Sequence, residues 1–303
     1  MMMVDYRDGD MLHFETGYSG NSLVREKLYP LFEDVFGISA VLLKDFYRRG
    51  FWDPSYCPYT FFDGDIAVAN ASRFELPLMI KGRSIAAAGI QSVMTLPKYR
   101  HRGFMTSLFE RMLEDIDRYY SLSLLFTKTP SLYKKFGFRI APETRFCARL
   151  SDLAFGTKCL LKRLDLSQCN DASLLDHLLR GSTPVSYRFA PTAYTSSFYL
   201  NCYDDTWQGR IYYHPDWNAV LIFDMDPDTL RMYAILAEEW PTMAEIVQAT
   251  GVTSLSWVVT DFYPDRFPDL KWNSVAYKSP GKLMIRGKGE PPIPIKYPEM
   301  AKF

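Results

Sequence analysis

The stretch TLPKYRHRGFMTSLFERML, residues 95–113, decides the fold, because it joins a strand to a helix through a basic loop. Strand-forming residues over 85–96 lead into Pro97, and a helical pattern begins after Gly103. The helical stripe consists of four apolar residues: Met105, Leu108, Met112 and Ile116. The loop between strand and helix carries three basic residues: Arg100, His101 and Arg102. We therefore predict a strand, a basic turn and a helix over 104–120.

The amino end of this predicted helix is suited to a phosphate group. Backbone N–H groups in the first turn of a helix have no partner within the helix, and the helix dipole is positive there. Gly103 has no Cβ, so a ligand can approach the main chain closely. Cationic side chains beside a positive helix end repel it, and a bound polyanion removes that conflict. The alternative is a solvated loop that binds nothing, and the residues alone leave both interpretations open.

The composition is that of a globular protein with a full core. Of the 303 residues, 48% are hydrophobic, and the aromatic share of 16% favours deep packing or an aromatic-lined cleft. The 35 basic and 35 acidic residues balance, so the net charge does not indicate a nucleic-acid or membrane partner. The chain has no run of about 20 apolar residues that could span a bilayer.

The cysteines and the amino-terminal sequence indicate the compartment. Five cysteines are spread along the chain without a CxxC pair: Cys57, Cys147, Cys159, Cys169 and Cys202. This pattern predicts neither a disulfide framework nor a zinc site, and no metal is expected. The opening sequence, MMMVDYRDGDM, lacks the basic and apolar regions of a signal peptide. We therefore expect a cytoplasmic protein.

The order of the predicted elements indicates an α+β, or mixed α/β, fold. Residues 1–150 begin with helices, followed by a meander of strands and then by the strand–helix–strand unit around the basic turn. The predicted turn of one hairpin is KGRS, residues 81–84. Residues 151–290 repeat the rhythm of hairpin, helix and strand, and are predicted to form a second domain. The remaining segment, 291–303, is rich in proline and is predicted to be extended.

Two linked motifs resemble the GCN5-related N-acetyltransferases (GNAT), and within them the Eis-type (enhanced intracellular survival) branch. The first, SVMTLPKYRHRGFM (92–105), is similar to the family motif R/Q-x-x-G-x-G/A, with Arg100 and Gly103 in place and Met105 at the last small position. The second, LLFTKTPSLYKKFGFRIAPE (124–143), resembles the I-Y-x-R-F-G segment of that branch. The resemblance implies a GNAT fold, with a mixed central sheet flanked by helices, followed by a GNAT-like domain without a cofactor site.

The resemblance also implies an acetyl-CoA site and assigns its residues. Backbone groups of one strand would bind the pantetheine arm: Val93, Met94 and Thr95. The loop and the first helical turn would bind the pyrophosphate: Arg100, His101, Arg102, Gly103, Phe104, Met105 and Thr106. Lys128 and Thr129 would lie on the other side of the pantetheine, where the branch often has Ser-Glu. Asp34 corresponds to an acidic residue of the acceptor pocket, although a carboxylate on an exposed helix face usually serves only solubility.

Tyr133 matches the tyrosine of the second motif, which implies a role as general acid toward the departing thiolate. A phenol with a pKa near 10 stays protonated at neutral pH and can protonate a thiolate with a pKa of about 8.5. The alternative is a packing role beside Phe136 and Phe138. The general base stays open between a water relay, Asp34 and the carboxylate of Phe303.

The expected function is transfer of the acetyl group of acetyl-CoA to a primary amine. The resemblance implies direct attack in a ternary complex, with a polyamine, an aminoglycoside or a lysine as acceptor. The alternative is a non-catalytic module that binds acyl-CoA as a sensor or holds a partner. A homo-oligomer is left open, and neither nucleic acid nor membrane is expected as a partner.

Overall fold

The computed structural model describes residues 2–5, 11–150, 156, 159–288 and 294–303. The strands in these ranges are β1 (Met2–Asp5), β2 (Met11–Thr16), β3 (Cys57–Asp63), β4 (Ile66–Glu75), β5 (Leu78–Ile80), β6 (Arg83–Ile85), β7 (Ala87–Thr95), β8 (Leu122–Thr127), β9 (Arg139–Ile140), β10 (Thr144–Arg149), β11 (Lys162–Arg163), β12 (Phe189–Pro191), β13 (Ile211–His214), β14 (Ala219–Asp226), β15 (Thr229–Leu236), β16 (Trp257–Thr260), β17 (Asn273–Ala276) and β18 (Lys282–Gly287). The α-helices are α1 (Ser22–Arg25), α2 (Tyr29–Phe36), α3 (Ala40–Arg48), α4 (Phe104–Tyr119), α5 (Ser131–Lys134), α6 (Cys169–Gly181), α7 (Thr195–Asn201) and α8 (Met243–Thr250). Short 3-10 helices lie at Glu26–Leu28, Pro97–Tyr99, Asp205–Trp207 and Glu299–Ala301. Over the described ranges, no helix has the length and apolar character needed to cross a bilayer.

Two mixed sheets form the frame of the molecule. Counted over the described residues, the first has eight strands in the order β1-β2-β3-β4-β7-β8-β18-β9. The second has seven, in the order β11-β13-β14-β15-β16-β10-β17. Each sheet contains one parallel pair, β7 with β8 and β15 with β16, and its other neighbours are antiparallel. A small sheet, β12-β5-β6, connects the two halves of the chain.

Strand pairing crosses residue 150, while the predicted domain limits of 1–150, 151–290 and 291–303 stay a prediction. β18 comes late in the chain but pairs with β8 and β9 in the first sheet. β10 pairs instead with β16 and β17 in the second sheet. Strand pairing depends on which apolar edges meet in space, so chain order alone does not reveal it. The two sheets are therefore not separated at residue 150.

The end of the chain differs from the predicted extended segment over the described residues 294–303. Apolar side chains there are buried: Ile295, Tyr297, Met300 and Ala301. The 3-10 helix Glu299–Ala301 lies in this segment and contacts α7 and β15. Prolines limit regular structure here, but they do not keep the segment away from the core.

The strand, turn and helix predicted from residues 95–113 are confirmed. β7 ends at Thr95, and α4 begins at Phe104 with Gly103 as its N-cap. The φ of Gly103 is 87°, in the left-handed region that glycine adopts without strain. The inner face of α4 packs on the first sheet through six buried residues: Phe104, Leu108, Phe109, Met112, Leu113 and Ile116. A hairpin turn in the predicted stretch 81–84 is also confirmed, but it consists of Lys81 and Gly82, since Arg83 and Ser84 belong to β6.

Apolar residues at helical spacing predict a single helix over 23–35, but the structure differs in this region. It is divided into α1, the 3-10 helix Glu26–Leu28 and α2. Pro30 lies in the first turn of α2, where a missing N–H is tolerated, but it cannot continue a helix from the preceding turn. Leu28, Tyr29 and Leu31 are buried, and this anchors α2 beside the cavity described next.

Candidate active site

A cavity of about 950 Å³ lies beside the junction of β7 and α4. β7 and β8 pair as parallel neighbours from Ala87 onward, and their pairing stops where Ile90 faces Leu125. Beyond that point both strands line the cavity, β7 with residues 90–95 and β8 with residues 125–127. The diverging strands leave backbone groups at the cavity wall that a continuous sheet would have paired.

A β-bulge in β7 shapes one wall of the cavity. The register between β4 and β7 shifts between Asn70 and Ser72, and opposite this shift Ser92 has a φ of 55°. Such a φ is uncommon for serine, and Asn70 Nδ2 stabilises it by donating to the Ser92 carbonyl at 2.7 Å. Asn70 Nδ2 also donates to Ser72 Oγ at 2.9 Å, and Ser72 Oγ donates to the Tyr56 hydroxyl at 2.8 Å. This buried network fixes the bulge, a feature often found beside binding sites.

The residues predicted to bind the cofactor meet at one end of this cavity. Those that line it are Val93, Met94, Thr95, Arg100, His101, Gly103, Phe104, Met105, Thr106, Lys128 and Thr129. Arg102 does not line the cavity, and its guanidinium lies 5.4 Å from the centroid of the Tyr99 ring. The sequence motifs therefore converge in space, with Arg102 beside them.

Positive charge concentrates where α4 begins. No side chain caps this helix end, because its N-cap is Gly103. Arg100 Nε donates to the carbonyl of Thr95 at 3.2 Å, which holds the loop against the end of β7. Lys135, which was not predicted, donates from Nζ to Thr106 Oγ1 at 2.7 Å and also lines the cavity. Helix amides and these cations together suit a polyanion such as a diphosphate.

Tyr133 lies in the cavity wall, and only 7% of the residue is exposed. Its ring packs against Phe109 and Phe138 with centroid distances of 5.4 and 6.3 Å, so it also has a packing role. Burial raises the pKa of Tyr133 above its usual value, and a hydrogen bond with Thr127 lowers it in part. The phenol is therefore protonated at neutral pH, which is the state that a general acid needs.

The opposite part of the cavity, which we call the aromatic end, is formed by α2, α3 and the loop before β3. Its apolar and aromatic lining consists of Phe32, Val35, Phe36, Ile38, Leu43, Phe46, Trp52 and Tyr56. Asp53 is the single aspartate or glutamate among the described residues that line the cavity. Ser196, Ser197 and Leu200 of α7 also line it, so the second half of the chain contributes to the wall.

The structure does not bring Asp34 to this cavity. Asp34 is exposed on α2 and does not line the cavity, and its contact with an acceptor stays a prediction. The sequence did not predict Asp53 as a site residue, because the Asp-Pro pair in FWDPSYC is typical of a turn. Phe303 lines the cavity, with its ring 4.8 Å from that of Phe74 and 5.3 Å from that of Phe126. This is the location that the alternative base predicted from the sequence, the carboxylate of Phe303, would need.

Cysteine and metal ligands do not gather at this cavity. All five cysteines are free thiols, and none of them lines it. Within the described part of the chain, no three His, Cys, Asp or Glu residues lie together so that they could hold a metal ion. The ionisable side chains that do line the cavity include Tyr133, Asp53, His101 and the cations Arg100, Lys128 and Lys135.

Sequence comparison finds a family match for the part of the chain that supplies most of the cavity lining. Residues 25–141 match the family model of the acetyltransferase (GNAT) domain. A curated relative, an uncharacterized N-acetyltransferase of Streptomyces avermitilis, is 35% identical over 80 residues. That match covers 26% of this chain and 20% of the relative, so it spans about a fifth of the relative's length.

Solved structures share the fold over most of the chain. A probable N-acyltransferase from Enterococcus faecalis V583 matches with a TM-score of 0.57 and 14% identity, over 91% of this chain and 73% of that one. Eis1 from Mycobacterium abscessus matches with a TM-score of 0.56 and 13% identity, over 91% and 72% of the two chains. A GCN5-related N-acetyltransferase from Kribbella flavida matches with a TM-score of 0.52 and 16% identity, over 91% and 72%. At identities this low, structural similarity shows a shared fold and no more. It confirms the predicted GNAT fold.

Proposed function

We propose that the protein transfers the acetyl group of acetyl-CoA to a primary amine, starting from the match of residues 25–141 to the acetyltransferase (GNAT) domain. The observation that carries the proposal is one cavity that extends from the start of α4, past Tyr133, to the aromatic end. A cavity with these three parts can hold a phosphate-bearing donor, an acid and an acceptor side by side. Binding of acyl-CoA alone would not need the aromatic end.

The residues at the cavity fit the two chemical parts of CoA. In the proposal, main-chain N–H groups of Gly103 and the first turn of α4 bind the pyrophosphate, and Arg100 and Lys135 add positive charge. Main-chain groups of residues 93–95, beside the β-bulge, bind the amides of the pantetheine arm. Acetyl-CoA supplies the acetyl group as an activated thioester.

We propose direct transfer without a covalent enzyme intermediate. The neutral amine forms the new C–N bond and the C–S bond breaks, while the N–H of Met94 or Thr95 donates to the carbonyl oxygen as it gains charge. Tyr133 donates its phenolic proton to the departing sulfur and regains a proton from water. In the proposal, water removes the proton of the amine; of the two alternative bases, Asp34 does not line the cavity and Phe303 does.

Incubation with acetyl-CoA and a panel of primary amines tests the proposed function. The panel contains a polyamine, an aminoglycoside, a lysine peptide and simple alkyl and aryl amines. Amine-dependent release of free thiol, with the acetylated amine detected by mass spectrometry, supports transfer. Binding of CoA without thiol release from any amine would contradict transfer and favour the non-catalytic acyl-CoA-binding module.

Arg100→Ala should weaken CoA binding about tenfold, because one charge-assisted contact with phosphate is lost at an exposed site. The loss should shrink at high salt, which screens the attraction. Calorimetric titration with CoA at two salt concentrations measures both effects. Arg118→Ala is the matched control, since Arg118 is exposed in the last turn of the same helix. Equal affinities of Arg100→Ala and wild type would contradict the pyrophosphate assignment.

We propose that the protein is cytoplasmic, as the sequence predicts. The free state of all five cysteines is compatible with a reducing compartment. Assembly into a homo-oligomer also stays a prediction, which size-exclusion chromatography with light scattering would decide.

A further inference from the structure

We propose that the acceptor is a hydrophobic monoamine, whose ammonium group pairs with Asp53 and whose apolar body lies in the aromatic end. This inference rests on the proposed acetyl transfer and narrows its acceptor. It disfavours polyamines and aminoglycosides, two of the classes expected from the resemblance. Three features of the cavity carry it: the distribution of charge, the free oxygen of Asp53 and the apolar surroundings.

The charged side chains of the lining belong to different segments. Arg100 precedes α4, Lys135 donates to Thr106 in the first turn of α4, and Lys128 follows β8. Asp53 belongs to the loop before β3 and is the lone acidic side chain of the lining within the described residues. A polyanion is therefore attracted to the segments that carry the cations, and a ligand with a single positive charge is attracted to Asp53. A polycation would find one acidic side chain for all its ammonium groups in a lining that also carries three cations.

The hydrogen bonds of Asp53 orient one oxygen and leave the other available. Oδ1 accepts from the N–H of Ser55 at 2.8 Å and from its hydroxyl at 2.5 Å. Oδ2 accepts no hydrogen bond from the described residues, and Asp53 forms no ion pair with them. The carboxylate is half-buried, so a contact with an ammonium group there would be screened less than one on an open surface.

The surroundings of Asp53 favour an apolar ligand body. The Trp52 ring lies 5.3 Å from the Tyr56 ring and 6.3 Å from the Phe46 ring, between centroids. Trp52 Nε1 already donates to Ser19 Oγ at 2.8 Å, so the indole N–H is satisfied. A hydroxyl-rich ligand in this place would lose hydrogen bonds to water without regaining them from the wall. Aromatic faces would also attract an ammonium group through cation–π interactions.

α2 extends the apolar surface to the outside of the cavity. Phe36 lines the cavity yet is 50% exposed, although it is one of the largest apolar side chains. Its ring lies 6.3 Å from that of Phe32, which is buried. An apolar ligand would cover this exposed surface, and removing it from water would contribute to binding.

Steady-state kinetics with 2-phenylethylamine, spermidine and the aminoglycoside kanamycin tests this inference. We expect kcat/KM to be at least about tenfold higher for 2-phenylethylamine. Asp53→Asn should raise its KM about ten- to hundredfold with little change in kcat, because a hydrogen bond to a charged group is lost. Glu33→Gln removes an exposed carboxylate of α2 outside the cavity lining, and it is the matched control.

Calorimetric titration of 2-phenylethylamine into the protein–CoA complex measures acceptor binding without turnover. The neutral analogue 2-phenylethanol should bind at least about tenfold more weakly, and Asp53→Asn should remove most of that difference. Unchanged CoA affinity of Asp53→Asn verifies that the variant is folded. Amine binding without any acetyl transfer would refute the proposed function and support this acceptor site.

Three results would overturn the inference while leaving acetyl transfer intact. Spermidine or kanamycin could prove the better substrate. Asp34→Asn, rather than Asp53→Asn, could raise the KM for the amine. Equal binding of 2-phenylethylamine and 2-phenylethanol would show that no carboxylate recognises the ammonium group.

Discussion

Tyr133→Phe should lower kcat for acetyl transfer by about 10²- to 10⁴-fold, the range typical of a lost general acid. The substitution removes the phenolic oxygen and keeps the ring, so packing against Phe109 and Phe138 is retained. Without a proton donor, the sulfur must leave as a free thiolate, which raises the barrier of the step. Steady-state kinetics measures kcat, and calorimetry should give a CoA affinity close to that of the wild type.

The pH dependence gives a second measurement of the same role. Burial raises the pKa of Tyr133 above its ordinary value of about 10, so the acid form is present throughout the neutral range. Deprotonation of Tyr133 should therefore reduce wild-type kcat only above about pH 10. Tyr119→Phe, at the exposed end of α4 and outside the cavity lining, should retain full activity. If Tyr133→Phe were equally active, the ring would have a packing role alone.

Local sequence signals were enough to predict the half of the site that would bind the cofactor. Pro97 marks the end of the strand and Gly103 marks the start of the helix. Both signals are local and do not depend on contacts with the remainder of the chain. The residues between β7 and α4 are consecutive, so a correct strand–turn–helix prediction already places them at one end of the sheet. Tyr133 follows β8, the parallel neighbour of β7, and parallel neighbours end at the same edge.

The part of the cavity that we propose for the acceptor could not be predicted in this way. It is formed by contacts between segments distant in sequence, which hydrophobic periodicity does not report. Asp34 and Asp53 are both acidic residues near aromatic side chains, and only the packing of α2 and α3 determines which of them meets the cavity. The insertion of β18 beside β8 and the return of residues 294–303 are likewise decided by long-range pairing. Phe303 lies in the cavity wall because residues 294–303 pack back onto the core. The prolines of this segment had predicted an extended tail.

A buried lysine holds the returning segment in place. The side chain of Lys296 is 0% exposed and forms ion pairs with Asp261 at 2.9 Å, Glu299 at 3.0 Å and Glu143 at 3.4 Å. It also donates to the carbonyl of Tyr297 at 2.6 Å. Glu143 directly precedes β10 and Asp261 directly follows β16, so this one ammonium group joins the segment to both strands. Burial alone would lower the pKa of Lys296, but the carboxylates, Asp261 foremost, raise it well above its usual value.

Lys296→Met should lower the free energy of unfolding by about 3–5 kcal/mol, because it leaves buried carboxylates without their cation. Urea denaturation at pH 8 measures this loss. Burial already raises the pKa of Asp261 to about 6, and removal of Lys296 should raise it further. A carboxylate whose folded pKa is raised stabilises the protein below its unfolded pKa and loses that stability as the pH rises, so the variant should lose less at pH 5 than at pH 8.

Lys302→Met is the matched control, because Lys302 pairs with Glu299 at 2.7 Å at the more exposed edge of the same cluster. Its side chain is 19% exposed, and Lys296 would still neutralise the carboxylates, so we expect a loss of about 1 kcal/mol. Equal losses in the two variants, or a loss for Lys296→Met that does not change between pH 5 and pH 8, would contradict the role of Lys296 as the cation of this buried cluster. The segment that brings Phe303 to the cavity would then be held by its apolar contacts rather than by charge.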